Sequence, residues 1–514
     1  MRPVVTIFEG EFWTAAERPR GGAVAVDDLG LIAAVEPDGA RIAAAFPLAA
    51  RIRLPKGSLG VPAFHDAHNH WGFAAFDHAA FLGDCHSVEG LLSRLNERAE
   101  TSTEGWILGY GWNTGQTGDL TQADLDRVSN KRPVAVFDKS THAVQLNAAA
   151  VNEIGPAFER SKAEGHRGWL EGGRLLEMSF LVFGAMRLPD AALQRSLIEL
   201  EQKYLAHGIA SLDDMDVLSP QILDSLHSLY VERRLTLPCH AFIDFGRFRD
   251  ALLPEPRSHG AFNIVGMKSY MDGALGARSA GMYEPFLGTG GHGVMLLDCE
   301  RFKQRRDLAF ERGYRHLALH AIGDRAVAEA VELLEGATLP KGDFDRLRIE
   351  HFQFASDEDR ERCADAGIAI CMQPNFTSDV ADYADRLGDR AKKLCEHRAA
   401  LDSGALLGFG SDGMPTGPLH GLRCAVEHPI EAQRLSVIEA LRAYSIDACR
   451  ISLTDDRRGS LEVGKEANLT VLSRDIVREK CIAADVKVLA TIVSSRIAYR
   501  AEPGVLPSLT DGRV

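Results

Sequence analysis

No two of the nine cysteines (Cys85, Cys239, Cys299, Cys363, Cys371, Cys395, Cys424, Cys449, Cys481) form a C-x-x-C pair in this 514-residue chain. That argues against a cysteine-rich zinc module and a disulfide framework, and it suits a reducing cytosol. Long apolar runs are missing as well. The chain starts Met1-Arg2-Pro3-Val4-Val5-Thr6 and reaches Glu9 and Glu11 before any such run develops, so neither a signal peptide nor a membrane span is expected. Positive charge is in deficit: 58 Lys and Arg face 72 Asp and Glu, a formal net charge of -14. With no basic cluster, nucleic acid and anionic membranes are poor partners. The rest is ordinary globular composition, 45% hydrophobic and 25% charged. The length exceeds one hydrophobic core and allows two or three domains.

Both ends read as short strands. Val4-Val5-Thr6-Ile7-Phe8, Gly22–Val26 and Leu31–Val35 (the last two flanking the turn Asp27-Asp28-Leu29-Gly30) and Arg51–Leu54 lie at one end, and Ala467–Leu472 and Val486–Val493 at the other. A set this small is marginal by itself. We therefore expect one composite β-sandwich from residues 1–60 and 456–514, wrapped around a central domain, 61–455.

The central part alternates short apolar strands with helical stretches, the pattern of a parallel α/β fold. Candidate strands end at or near His70, Leu212, Ile243, Tyr270, His320, His351, Met372 and Asp412. That makes eight, and a (β/α)8 barrel uses roughly 30 residues per βα unit. His320 to His351 is 31 residues, one unit, and His351 to Asp412 is 61, two units. Lys268 to His320 is one unit plus a Gly-rich loop, expected to be mobile. His70 to Ile209 is far too long for one unit, so residues 71–190 form an insertion. Leaving the C-terminal end of a strand, it is expected to cap the mouth where barrel active sites sit.

The strand ends carry the chemistry. Asp66, His68 and His70 alternate onto one face of the first strand. Lys268 is late on the fourth strand, His320 ends the fifth, His351 the sixth and Asp412 the eighth. An isolated H-x-H is most often a pair of ordinary histidines, and an Asp after Gly-Ser is commonly a helix cap. Six such groups at the strand ends of one barrel point instead to a metal centre, since neutral imidazoles and carboxylates suit Zn²⁺.

The stretches Pro62–His70, Met267–Arg278, His320-Ala321-Ile322-Gly323-Asp324-Arg325-Ala326, Ile349-Glu350-His351, Gly410–Pro415 and Gly459–Lys465 together resemble the amidohydrolase superfamily, in its YtcJ-like, amidohydrolase-3 branch, nearly end to end. The resemblance implies a divalent metal centre, usually zinc, of one or two ions. His68 and His70 would hold the first ion and His320 and His351 the second. Lys268 would be carboxylated and bridge both, and Asp412 would ligate the first ion and serve as general acid/base. A lysine ammonium has no lone pair, whereas its carbamate is an anionic two-oxygen ligand that can span two ions. The implied reaction is hydrolysis of a non-peptide C–N bond in an amide, N-formyl compound or cyclic amide. Hydrolytic deamination is the alternative within the superfamily, and a non-catalytic metal-binding protein the alternative outside enzymes. Deaminases generally lack the strand-four lysine, which is present here.

Some positions depart from the family pattern. His65 replaces a usual apolar residue and, by alternation, faces the helix layer. Asn69 stands where relatives carry a small or apolar residue, and Trp112-Asn113 replaces a commoner Trp-Asp. Trp112, His142 and Asp272 are candidate substrate contacts, the first two equally readable as packing within the cap and Asp272 as support for the loop after the fourth strand. Asp324 is a candidate helix cap or support for a ligand histidine. We expect a small-molecule substrate, a cytoplasmic location and self-association, as a dimer.

Overall fold

The computed structural model describes residues 2–16, 20–102, 105–244, 258–314, 316–337 and 346–506. Eight parallel strands form the centre: Phe64–Asn69, Ile209–Met215, Cys239–Asp244, Phe262–Tyr270, His316–Ala321, Arg346–His351, Ala369–Met372 and Leu407–Phe409. Each pairs in parallel with the next, from the first to the eighth, with register shifts between the first and second strands and between the third and fourth. Their residues are buried along nearly their whole length, as a barrel enclosed by helices requires. The chain is thus a (β/α)8-type barrel with a terminal β domain and an insertion after the first strand.

The eighth strand stops at Phe409, short of Asp412. The seam with the first strand is made by the segment beyond it. Asp412 N–H donates to the His68 carbonyl at 2.7 Å. Asp66 accepts from Ser411 N at 2.8 Å and from Ser411 Oγ at 2.6 Å. This close approach needs a glycine at 410, where a Cβ would lie 2.4 Å from the His68 nitrogen. Asp66, expected on the same strand face as His68 and His70, is committed to this seam. Its carboxylate clamps the seam and also takes Asn69 Nδ2 at 2.7 Å.

The terminal strands form one network. Leu59–Pro62 pairs in parallel with Val4–Trp13 on one side and antiparallel with Leu469–Leu472 on the other, so the two ends of the chain share a sheet. Phe8, Phe12, Val24 and Ile52 pack there against Leu461, Leu469, Val471 and Ile492 in a separate core. Thr470 Oγ1 and Thr491 Oγ1 donate to the carbonyls of Gly208 and Leu205 at 2.7 and 2.6 Å, anchoring this domain beside the second barrel strand.

The insertion has its own six-stranded sheet, ordered Trp169–Glu171, Arg174–Leu176, Ala143–Leu146, Val134–Asp138, Ile107–Trp112, Ala79–Phe81. An aromatic chain fixes it to the barrel. His70 contacts Phe73 at 5.0 Å between ring centres, Phe73 contacts Phe76 at 5.4 Å, and Phe76 stacks on Tyr110 at 4.3 Å. Each such pair contributes about 0.5–1.5 kcal/mol beyond its buried area. The Gly-rich segment after the fourth strand lacks regular structure, yet its stem is tied down. Asp272 accepts from the backbone of Gly281, Ile322 and Gly323 at 2.8–3.1 Å. No described helix is long and apolar enough to cross a membrane.

Gly410→Ala should force the barrel seam apart and destabilise the protein by about 1–3 kcal/mol, read as a lowered urea midpoint. Gly184→Ala is the control: it is exposed, helical and meets nothing within 4 Å, and should be neutral or slightly stabilising. Equal midpoints for the two variants would contradict a tight seam.

Candidate metal centre

A cavity opens at the C-terminal end of the barrel, and His68, His70, Lys268, His320, His351 and Asp412 all line it. The imidazoles are packed edge to edge, with ring centres 5.4 Å apart for His68–His70, 4.8 Å for His68–His351 and 4.5 Å for His320–His351. Asp412 Oδ1 lies 2.9 Å from His70 Nε2 and 3.6 Å from His68 Nε2, so one donor atom from each residue converges on a common point. Two of these positions hold an unusual backbone. His351 and Asp412 have φ of 69° and 54°, a left-handed conformation that costs non-glycine residues about 1–3 kcal/mol and concentrates at functional sites.

The donors suit a divalent cation. Burial, with Lys268 and neighbouring imidazoles, holds His68 and His351 well below the ordinary histidine pKa. Burial and the adjacent histidines do the same for His320, so all three are neutral with lone pairs available. His68 Nε2 and His351 Nδ1 are buried with no hydrogen-bond partner, an expensive arrangement unless something else takes the lone pairs. Lys268 is buried 5.0 Å from the centre of the Tyr270 ring. Burial lowers its pKa, while Glu350, Asp412 and Asp216 pull the other way.

The supports come from residues that strand-end counting did not assign. His68 Nδ1 bonds Glu350 Oε2 at 2.6 Å, which turns Nε2 toward Asp412. Glu350 is in turn gripped by fully buried Arg348, through Nε at 2.5 Å and Nη2 at 3.2 Å. Arg348 also reaches Asp213 at 2.7 Å and the Ala67 carbonyl at 2.6 Å. His65 belongs to this floor. It bonds Ser211 at 2.7 Å and Ser452 at 2.8 Å, and lies 3.2 Å from Asp213, which joins the first strand to the second and to the end of the helix Ile446–Ile451. Asn69 accepts from Tyr204 Oη at 2.7 Å.

The architecture matches a known family. A model of the amidohydrolase family matches residues 56–499. The chain belongs to that family. It is 28% identical over 481 residues to the putative amidohydrolase YtcJ of Bacillus subtilis, covering 86% of this chain and 89% of the relative. It is 26% identical over 495 residues to the N-substituted formamide deformylase of Arthrobacter pascens, covering 86% and 89%. A solved structure of an uncharacterised metal-dependent hydrolase from Pyrococcus furiosus superposes with a TM-score of 0.73 at 25% identity, covering 92% of this chain and 99% of that one. The protein is thus an enzyme of the amidohydrolase type.

Of the other candidates in this amidohydrolase, His142 reaches the cavity, its ring 5.2 Å from that of His320. Its Nδ1 bonds Glu177 Oε2 at 2.7 Å. Burial disfavours the imidazolium, but Glu177, Asp138 and Asp412 outweigh it and raise the pKa above the ordinary value. Trp112 does not reach the cavity. It is fully buried in the insertion's own core, donates to Thr117 Oγ1 at 3.1 Å and lies under Arg174. Asp272 does not line the cavity either. Its oxygens are taken by three backbone N–H groups behind His320, 3.5 Å from His320 Nε2, and burial pushes its pKa up to about 8 despite those bonds. Asp324 hydrogen-bonds no histidine among the described residues. It starts the helix Asp324–Glu335 and accepts from Tyr283 N at 2.8 Å.

Two further histidines lie in the barrel floor. Burial lowers His240 to about 4, against the pull of Asp213, and lowers His316 to about 3, with His240 adding to the effect. The unfolded chain protonates near 6.5 and the folded chain resists, so their stabilising contribution is complete above about pH 6.5 and is lost progressively below it. The urea midpoint of metal-free protein should therefore drop between pH 7 and 4.5, and His316→Gln should flatten that slope. A variant slope as steep as the wild type would contradict this assignment.

Proposed function

We propose that this amidohydrolase cleaves a non-peptide C–N bond in a small amide, N-formyl compound or cyclic amide. The observation that carries the reading is the convergence of Asp412 Oδ1 with His70 Nε2 and His68 Nε2 in a cavity that Lys268, His320 and His351 also line. In this reading His68, His70 and Asp412, with His320, His351 and a carboxylated Lys268, would hold one or two zinc ions. Zinc bound there would polarise the substrate carbonyl and acidify the attacking water.

The chain's own groups do the rest. Burial biases Lys268 toward the neutral amine, whose lone pair can form the N–C bond with CO₂ and release a proton, giving an anionic carbamate that would serve as a metal ligand. Asp412 stands beside both Nε2 atoms, where its carboxylate can take the water proton and hand it to the leaving nitrogen. Glu350 holds His68 in one ring orientation. His142, steadied by Glu177, presents its imidazole to the cavity from the insertion and acts as a substrate contact. The Arthrobacter relative named a formamide deformylase puts N-formyl amines first among substrates to try. Nine free thiols accord with a reducing, cytoplasmic setting.

Elemental analysis should return up to two zinc ions per chain, and chelation should abolish hydrolysis of N-formyl and lactam substrates. Full activity in metal-free protein would defeat the proposal. Lys268→Ala should lose activity and be partly rescued by small carboxylates. Asp412→Asn should eliminate turnover while retaining most metal, and wild-type turnover in either variant would remove that residue's role. Glu350→Gln should weaken zinc binding about 10–100-fold in a chelator competition, and unchanged affinity would dismiss Glu350 as a positioning residue.

A further inference from the structure

The histidine cluster faces two chambers of different chemistry. The wide one, described above, is walled beyond the histidines by many polar groups, among them His166, Arg167, Glu177, Asp244 and Arg305, alongside Phe73, Phe180, Phe183 and Leu218. A second chamber shares His142, His320, His351 and Asp412 with the first. Its remaining walls are mostly apolar: Ala274, Leu275, Ile322, Phe376 and Tyr383, with Lys139 and Asp379 among the few polar lining groups.

This apolar chamber is built firmly. Leu275 and Ile322 belong to a separate hydrophobic cluster with Met282, Phe286, Phe354 and Leu394, against which Phe376 and Tyr383 pack. Arg386 fastens two of the walls together. Its guanidinium lies 4.6 Å from the centre of the Tyr383 ring, and its Nη1 donates to the carbonyls of Leu275 and Gly276 at 3.2 and 2.9 Å. Buried Asp379 is occupied by Gln353 Nε2 at 2.5 Å. The walls therefore offer apolar surface and aromatic faces held in place before any ligand arrives, the common character of a small-molecule subsite.

We infer that the chamber between Leu275, Ile322, Phe376 and Tyr383 receives an aryl arm of the substrate, attached next to the bond that is cleaved. This rests on the metal-centre reading, because the arm is placed relative to a carbonyl held among His320, His351 and Asp412. The substrate class then narrows to amides or N-formyl amines with an aromatic group on one side of the C–N bond. The wide, mixed chamber takes whatever the other side carries.

Gly276 gives a direct test. A Cβ added there would meet Tyr383 Oη at 3.1 Å and Ser140 at 3.8 Å, two groups of the chamber wall, so Gly276→Leu should fill the chamber. Zinc-loaded full-length protein is titrated by calorimetry with acetate and with phenylacetate, two carboxylates that differ by the ring. Phenylacetate is expected to bind about tenfold tighter or better, the scale of burying part of a ring in an apolar pocket. Gly276→Leu should abolish that advantage and leave acetate binding unchanged. Tyr383→Ala, which removes the opposite wall, should reduce it several-fold, with zinc content and thermal unfolding confirming that both variants are folded. Equal affinity for the two carboxylates, or a preference untouched by both variants, would overturn the subsite and leave the metal centre standing. If neither carboxylate binds protein that retains zinc, the subsite is overturned, whereas protein that holds no zinc would overturn the metal-centre reading instead.

Discussion

The seam of the barrel is the constraint on which the site depends. Asp412 and His68 are hundreds of residues apart in sequence, and a single main-chain bond of 2.7 Å brings them together. Asp412 also adopts a left-handed backbone there. The conformation is sustained because Asp66 clamps Ser411 through both backbone and hydroxyl, and because Gly410 lets the two chains approach. Local strain of this kind persists only where its surroundings over-determine it. Loosening the seam would not simply open a sheet edge. It would move the carboxylate away from the two imidazoles it faces.

Beneath the seam lies a buried charge network. Arg348 has no solvent exposure and faces two carboxylates, Asp213 and Glu350. Burial alone would raise Asp213, yet His65, Arg348 and His240 hold it below the ordinary carboxylate range. Removing one partner from such a group leaves a buried charge uncompensated, at a cost of about 3–5 kcal/mol. A well-packed apolar set could fill the same space at little or no loss of stability. What an apolar set could not do is present Glu350 to His68 Nδ1 at 2.6 Å. The network thus relates more to the geometry of the site than to the strength of the fold.

How much of this was legible in the sequence follows from the range of each interaction. Alternation along a strand is local, so the barrel strands could be found, and with them the positions of His68, His70, His320 and His351 at one mouth. The sharing of a sheet by the two chain ends followed from strands too few to stand alone. Contacts between distant segments were not legible. Asp66 was placed by alternation with His68 and His70, but its partner Ser411 comes from the other side of the seam. Trp112 is equally apolar whether it lines a pocket or fills a core, and only the packing of the insertion separates the two. Asp272 and Asp324 both follow strands, and nothing local indicates that the first is sealed behind His320 while the second points to Tyr283. Glu350 stood inside a quoted motif, yet its role needed Arg348 and His68 in three dimensions.

The insertion is more than a cover, because a continuous path of contacts joins it to the cluster. His142 bonds Glu177, and Glu177 accepts a hydrogen bond from the Ser279 hydroxyl. Ser279 Oγ accepts from Ala274 N at 3.1 Å, and the Ser279 carbonyl accepts from Gly273 N at 3.3 Å. The Gly273 carbonyl lies 3.2 Å from His320 Nε2. A side chain at 273 would collide with the Glu177 carboxylate, 2.1 Å from the built Cβ, so the approach is available only to glycine. Because His320 Nε2 is held by that carbonyl, the ring is oriented from the loop that the insertion grips. A change in how the insertion sits would reach the imidazole through two hydrogen-bonded turns rather than through the barrel wall. The same loop carries Ala274, Leu275 and Gly276 into the apolar chamber, so the fit of a substrate arm and the setting of His320 are physically linked.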